Sequence, residues 1–163
     1  IDISLYSSAS VLLTVILMFI GASPGSTGGG IKTTTFSVLV LSVLSMLSGK
    51  NDLSIFKRKI PQSNAREATT LATLALAIIL TIIFVMMLIE PFPFEKILFE
   101  AFSAFGTVGL SMGITSQLSY AGKLLITILM YIGRIGPLTL VYAISIRKRQ
   151  PDFTYAEEKI SIG

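Results

Sequence analysis

Residues 94–113, FEKILFEAFSAFGTVGLSMG, decide the fold that this chain can adopt. The first part, 94–105, spaces its apolar residues as a helix does and follows Pro91 and Pro93, which end any preceding helix. A helix of this length spans about 18 Å, which is roughly half of a membrane. The next residues, GTVGLS, predict extended backbone with glycines. The pattern predicts a short helix that enters a membrane halfway and returns as a loop.

Long apolar segments flank this stretch on both sides. Residues 68–89 carry no charge, and as a helix they would be about 33 Å long, enough to cross a hydrocarbon core of about 30 Å. Residues 124–146 form a second candidate span, in which the only charge is Arg134. The 163-residue chain is 52% hydrophobic and 13% charged, with a mean hydropathy of +0.79. This composition indicates a membrane protein.

A third apolar region runs from Ile3 to Gly49, and its only charge is Lys32. One straight helix of this length would be about 70 Å long, about twice the membrane thickness. Residues 21–35, GASPGSTGGGIKTTT, interrupt the region with five glycines and a proline. Irregular backbone at membrane depth is tolerated only where it is buried in protein or lines a water-filled path. We therefore expect a membrane helix that is broken in its middle or turns back there.

The placement of charge predicts the orientation. Segment 50–67 carries five basic residues against two acidic ones, and residues 147–149 are Arg-Lys-Arg, so both segments are expected in the cytoplasm. The connection 90–123 holds three glutamates against two lysines and is expected outside. If residues 3–49 cross once, all three regions agree, whereas a hairpin there is less favoured. The formal net charge of +4 follows this topology and does not predict nucleic-acid binding.

The segment Thr107-Val108-Gly109 has a possible chemical use. Backbone carbonyls of an extended Thr-Val-Gly strand can replace the water shell of a cation, as in the TVGYG loops of potassium channels. Gly109 would allow the positive φ that turns neighbouring carbonyls toward one axis. An ordinary glycine turn could have the same few residues. The short helix before them and the apolar span after them favour a selectivity filter.

Other functions fit the residues less well. The chain has no Cys and no His, and its acids are expected at the outer ends of helices, so no catalytic constellation is evident and we expect no enzyme. Residues 25–33 resemble the phosphate-binding pattern GxxxxGK[ST], but Ile31 stands where the lysine is needed. A secondary transporter with a midplane substrate site at the broken helix remains the alternative, although it does not explain the short helix before TVG.

Three stretches resemble the Ktr/Trk/HKT superfamily of potassium transporters, and most closely the Ktr-type membrane subunit, KtrB. They are FIGASPGSTGGGIKTTTF (19–36), FEAFSAFGTVGLSMG (99–113) and MYIGRIGPLTL (130–140). The resemblance implies an all-α membrane protein, built from four helix–pore helix–helix repeats around a potassium-channel-like pore. It implies that this chain holds the end of the third repeat and the whole fourth repeat, with the earlier repeats outside the sequence. A single filter strand cannot enclose an ion, so we expect no conduction by this fragment alone.

The resemblance also implies the segments and site residues. The segments are the broken second helix of the third repeat (1–49), a cytoplasmic connection (50–67), the fourth repeat (68–149) and a C-terminal tail (150–163). The filter residues that bind K⁺ through backbone carbonyls are Thr107, Val108, Gly109 and Leu110. The intramembrane gating loop consists of Ala22, Ser23, Pro24, Gly25, Ser26, Thr27, Gly28, Gly29 and Gly30.

Arg134 is the charged residue expected deepest in the membrane. A charge there is costly and therefore a functional candidate, and its planar guanidinium can hold several backbone carbonyls at once. We expect Arg134 to bind the carbonyls of the gating loop and to form part of the gate. Lys32 is expected only to mark the cytoplasmic side of the pore.

The resemblance further implies the ions and partners. K⁺ is the expected transported ion, Na⁺ remains open, and no organic cofactor is expected in this chain. The expected location is the plasma membrane, with several spans and a cytoplasmic C-terminus. The expected partners are membrane lipid, the upstream repeats of the same chain, a second copy in a homodimer with Gly163 at its interface, and a ring of KtrA-like nucleotide-binding regulatory subunits. Nucleic acid is not an expected partner.

Overall fold

The computed structural model describes residues 3, 6–49, 54–55 and 58–136. The elements in chain order are α1 (Ser8–Phe19), α2 (Thr33–Leu47), β1 (Ser54–Ile55), β2 (Arg58–Lys59), α3 (Gln62–Ile89), α4 (Phe94–Gly106) and α5 (Tyr120–Ile135), with a 3₁₀ turn at Thr115–Gln117. The regular structure of the described residues is helical, as predicted, apart from a short antiparallel hairpin in which Ser54 pairs with Lys59 and Ile55 with Arg58. The hairpin falls within the predicted cytoplasmic connection.

The helix starts follow from local sequence. Pro61 and Pro93 stand immediately before α3 and α4 with φ of −57° and −58°, so their rings hold the chain ready for a helix. Ser7 and Ser119 cap α1 and α5, because their hydroxyl oxygens accept hydrogen bonds from backbone N–H groups in the first turn. These four helices therefore begin at residues that favour a helix start.

The longest helix is α3, with 28 residues and a length of about 42 Å. Within the described part of the chain it is the one helix long and apolar enough to cross a membrane, while α1 and α2 are shorter apolar helices. It contains the whole predicted span 68–89. The helix α5 confirms the first part of the predicted span 124–146, and residues from 137 onward lie outside the described residues.

The short helix α4 lies at the centre of the fold. It packs against α1, α3 and α5, and every residue from Phe99 to Gly106 is buried. Its bounds agree with the predicted half-membrane helix 94–105 within one residue.

The first half of the broken helix, α1, runs parallel to α4. At their starts the Ser8 hydroxyl donates to Glu95 over 3.2 Å. At their ends Gly106 packs against the Met18 carbonyl, and an added Cβ on Gly106 would lie 2.5 Å from that oxygen. The second half, α2, packs instead against α3. The two halves of the broken helix therefore contact different helices.

Candidate functional site

The segment after α4 has an unusual backbone. Thr107 ends the helix in the left-handed conformation, with φ 51° and ψ 38°, and Gly109 has φ +82°. The positive φ predicted for Gly109 is therefore confirmed. The left-handed Thr107 was not predicted, because a β-branched residue rarely adopts this conformation. Such strain occurs most often at functional sites, where surrounding contacts maintain it.

Backbone hydrogen bonds fix the beginning of this segment. The Thr107 N–H donates to the Ala104 carbonyl over 3.0 Å, and the Val108 N–H donates to the Ser103 carbonyl over 2.9 Å. In contrast, the four carbonyls of residues 107–110 accept no hydrogen bond from any described residue. Val108 and Leu110 are 45% and 39% exposed, so the segment lies at an open surface of the described chain. Unpaired carbonyls at an open surface are available to a ligand.

The electrostatics of this segment favour a cation. The last carbonyls of a helix carry a partial negative charge, and α4 ends directly at Thr107. The oxygen atoms near the segment that could bind a cation belong to carbonyl and hydroxyl groups and to the carboxylate of Glu100. In the described part of the chain there is no group of three or more Asp, Glu, His or Cys that could hold a metal ion.

The glycine-rich break in the first membrane helix is a closed loop. Ile20 and Ile31 form a parallel bridge at its neck, where the Gly21 N–H donates to the Ile31 carbonyl over 2.7 Å and the Ile31 N–H donates to the Phe19 carbonyl over 3.1 Å. Residues 22–30 form the loop itself and contain no helix, as predicted. We call residues 22–30 the glycine loop.

The glycine loop touches the segment after α4. The Gly29 N–H donates to the Thr107 hydroxyl oxygen over 2.8 Å, and the Gly30 N–H donates to the Phe105 carbonyl over 3.1 Å. Glycine is needed here because an added Cβ on Gly29 would lie 2.7 Å from the Phe105 oxygen, and Gly30 has φ +80°. Sequence reasoning predicted both segments but not these contacts between them.

The Phe105 carbonyl also touches α5. An added Cβ on Gly133 would lie 2.8 Å from the Phe105 carbonyl carbon and closer still to its oxygen. The end of α4 is therefore enclosed by glycines of two other elements, Gly29 and Gly30 on one side and Gly133 on the other. Side chains at these positions would separate the three elements.

The positively charged side chain that contacts the glycine loop is that of Lys32. Its ammonium group donates to the Ser26 carbonyl over 3.2 Å and to the Gly28 carbonyl over 2.7 Å. Lys32 was expected only to mark the side of the pore. Because the lysine is adjacent to the loop in sequence, its chain can fold back over the carbonyls.

Arg134 does not make the contact predicted for it. Its side chain is exposed, and it forms no hydrogen bond or ion pair with a described residue. The reason is the phase of the helix, since Gly133 faces the end of α4 and the next residue lies about 100° further around α5. Arg134 also stands in the last turn of α5, not in the middle of a helix ending at 146. The predicted bond from Arg134 to the loop carbonyls is therefore replaced by that of Lys32.

Two buried glutamates were missed. Glu100, in the middle of α4, is 5% exposed, and Glu90, at the end of α3, is 7% exposed, although the acids were expected at outer ends. The Ser119 hydroxyl and N–H donate to Glu90 over 2.6 and 3.0 Å, which joins the end of α3 to the start of α5. The Ser111 hydroxyl donates to Glu100 over 2.8 Å, and the Thr115 hydroxyl also donates to it.

Other predicted positions lie outside the described residues. They are the predicted dimer residue Gly163 with the tail 150–163 and the basic residues 147–149.

The sequence is similar to known cation transport proteins over its full length. Residues 1–155 match the TrkH family, described as cation transport protein. The whole chain is 41% identical to the Ktr system potassium uptake protein B of Bacillus subtilis and covers 36% of that protein. It is 41% identical to the potassium/sodium uptake protein NtpJ of Enterococcus hirae, of which it covers 38%, and 39% identical to the Ktr system potassium uptake protein D of Bacillus subtilis, of which it covers 36%. The chain thus spans little more than a third of the length of these relatives.

Proposed function

The chain belongs to the TrkH family of cation transport proteins, and we propose that it forms one quarter of a potassium-selective pore together with the gate below it. In this proposal residues 107–110 are one of four filter segments and the other three come from upstream repeats. The relatives named as potassium or potassium/sodium uptake proteins support K⁺ as the ion and leave Na⁺ open.

One observation carries the filter assignment. Four consecutive carbonyls, at residues 107–110, are unpaired within the described chain and follow directly on a buried half-membrane helix. A K⁺ ion entering a filter exchanges its water shell for such carbonyls. Four segments arranged around an axis would surround the ion, whereas one segment leaves it mostly exposed to water.

The glycine loop is the proposed gate. Its backbone N–H groups bind Thr107 and Phe105, so it would lie directly below the first filter residue. In this position it would narrow the path, and the charge of Lys32 would oppose a cation. Opening would require the hydrogen bonds of Gly29 and Gly30 to break. Arg134, at the end of α5, is proposed as a second positive charge at the gate.

The exposed apolar surface supports a membrane location. Large apolar side chains are exposed along the helices, among them Leu13 and Leu17 on α1, Phe84 and Leu88 on α3, and Met46 on α2. A surface of this kind fits lipid or further repeats of the same chain better than water. We propose a plasma membrane location with several spans and a cytoplasmic C-terminus. A homodimer through Gly163 and a ring of nucleotide-binding regulatory subunits complete the proposal and rest on the family resemblance.

Deletion of Gly25–Gly29 in the full-length transporter tests the gate. The protein is reconstituted in liposomes, K⁺ and Na⁺ uptake are measured separately, and assembly is checked by size-exclusion chromatography. If the loop is a barrier, the deletion raises the maximal K⁺ flux. If the broken helix is instead the substrate site of a secondary transporter, the deletion abolishes uptake by a correctly assembled protein. A wild-type protein that carries no K⁺ contradicts the proposed function as a whole.

A further inference from the structure

Glu100 is a buried carboxyl group that has no role in the pore as proposed above. It lies in the middle of α4, 5% exposed, and two hydroxyl groups donate to its two oxygens. The Ser111 hydroxyl donates to one oxygen over 2.8 Å, and the Thr115 hydroxyl donates to the other. An ionised carboxylate accepts and does not donate, so this arrangement suits it. Both donors belong to the segment that follows the filter residues.

The filter segment is held at its two ends. At the first end, backbone bonds to Ala104 and Ser103 and the Gly29 N–H fix Thr107 and Val108. At the far end, the bond from Ser111 to Glu100 returns the chain to α4. Between these ends, residues 109 and 110 form no hydrogen bond with any described residue.

A cleft beside the segment leaves it without packing contacts from the described chain on that side. The cleft has a volume of about 210 Å³ and lies between α4, the filter segment and α5. Its wall includes Glu100, Ser103, Thr107, Gly109, Ser111 and Ile126. Because open space lies beside Gly109 and Leu110, the hydrogen bonds at the two ends are the described contacts that set their distance from α4.

We propose that Glu100 is a positioning residue for ion selectivity, which acts by tethering Ser111 and Thr115 to the pore helix. The inference rests on the proposed function of residues 107–110 as a filter. The tether keeps the last filter carbonyls at a fixed distance from α4 and therefore from the ion. Without it the segment relaxes toward or away from the cleft, and the carbonyls no longer discriminate K⁺ from Na⁺.

The test uses Glu100→Gln in the full-length transporter reconstituted in liposomes. Glutamine has the shape of glutamate but offers one acceptor oxygen in place of two, so the two charge-assisted bonds are replaced by one bond from a hydroxyl and one from the amide N–H, both neutral and weaker. We expect the ratio of K⁺ to Na⁺ uptake to fall at least fivefold. Glu95→Gln is the matched control, because this exposed glutamate lies on the same helix; its ratio should stay within twofold of the wild type.

Thr115→Val provides a second variant, since Thr115 is exposed and its loss does not open the core. It should lower the same ratio, and the double variant Glu100→Gln/Thr115→Val should change the ratio by less than the product of the two single effects, because both remove one shared interaction. If Glu100→Gln does not assemble, the ratio of K⁺ to Na⁺ uptake by Thr115→Val alone tests the proposal. If Thr115→Val also fails to assemble, the tether holds the fold and the proposal is wrong.

Two results would overturn the inference. One is an assembled Glu100→Gln protein whose ratio stays within twofold of the wild type. The other is an equal fall in Glu95→Gln, which would indicate a general effect of negative charge. A Gly109→Ser variant separates this failure from that of the filter assignment. If Gly109→Ser lowers the ratio and Glu100→Gln does not, only the positioning role fails, and if neither does, the filter assignment fails.

Discussion

Replacing Lys32 by methionine should open the proposed gate. The ammonium group of Lys32 donates to the carbonyls of Ser26 and Gly28, over 3.2 and 2.7 Å, and so binds the glycine loop to the start of α2. Methionine keeps the unbranched apolar stem but removes the charge and both hydrogen bonds. Opening breaks the bonds of Lys32 to the loop together with those of Gly29 to Thr107 and Gly30 to Phe105, so methionine, which lacks the first set, makes the closed state less stable.

The size of the effect follows from these two bonds. Hydrogen bonds to a charged group contribute about 1.5–3 kcal/mol when they are well shielded from water. The bond to Gly28 is short and partly buried, whereas the bond to Ser26 is longer and exposed, so we expect a total loss of about 1–2 kcal/mol. About 1.4 kcal/mol is a tenfold change in an equilibrium constant. The ratio of open to closed gates should therefore rise about tenfold, and the maximal K⁺ flux should rise by up to that factor if the wild-type gate is mostly closed.

The assay is K⁺ uptake by liposomes that contain equal amounts of full-length protein. Lys123→Met is the matched control, because this lysine also donates to a carbonyl, that of Ser116 over 3.2 Å, but lies far from the loop in sequence at the start of α5. Lys123→Met should leave the maximal flux unchanged, and Lys32→Arg should keep it close to the wild type. An unchanged or lower flux in correctly assembled Lys32→Met would refute the role of Lys32 in closing the gate.

Two further substitutions test other contacts. Gly122→Ala should lower the thermal stability of the purified protein, since the added Cβ would overlap the Glu90 carboxylate and break its bonds to Ser119, at a cost of about 1–3 kcal/mol; an unchanged melting temperature in detergent would contradict the link between α3 and α5. Arg134→Ala should raise K⁺ flux by removing a positive charge from the gate, and Arg134→Lys should keep flux near the wild type, because Arg134 forms no hydrogen bond with a described residue and acts by charge alone. A fall in flux for assembled Arg134→Ala would instead give Arg134 a structural or ion-binding role.

Short patterns in the sequence predicted the helix α4, the break between α1 and α2 and the backbone of Gly109. The helical spacing of residues 94–105, set off by Pro91 and Pro93, predicted α4 within one residue. The five glycines of residues 21–35 predicted the break between α1 and α2, because glycine destabilises the interior of a helix. The positive φ of Gly109 was predicted because it allows the neighbouring carbonyls to turn toward one axis.

Contacts between distant segments could not be predicted in this way. The donors to Glu100 stand 11 and 15 residues away, and the donor to Glu90 stands 29 residues away, each outside the helix of its acceptor, so the periodicity of a single helix cannot connect them. The burial of these two glutamates was therefore not predicted. The hydrogen bond of Gly29 to Thr107 spans 78 residues and depends on how α1 packs against α4.

Which of Arg134 and Lys32 binds the carbonyls of the glycine loop depends on the rotational position of Arg134 on α5 and on the residue at which α5 ends. The apolar run in the sequence continues to residue 146, so Arg134 seemed to be at mid-membrane depth. In the structure α5 ends at Ile135, and Gly133 takes the face toward α4. The guanidinium of Arg134 therefore lies off the face that contacts α4 and forms no hydrogen bond with a described residue, whereas a lysine beside the loop can reach its carbonyls.

The most direct test of the filter assignment is the ratio of K⁺ to Na⁺ uptake by Gly109→Ser. Gly109 and Gly49 both have positive φ, +82° and +64°, and neither has an atom within 4 Å of an added Cβ. The two serine variants therefore impose the same kind of backbone strain, one in the proposed filter and one after α2. The account predicts a marked loss of K⁺ over Na⁺ selectivity in Gly109→Ser and a wild-type ratio in Gly49→Ser. An unchanged ratio in correctly assembled Gly109→Ser would contradict the claim that ions pass along the carbonyls of residues 107–110.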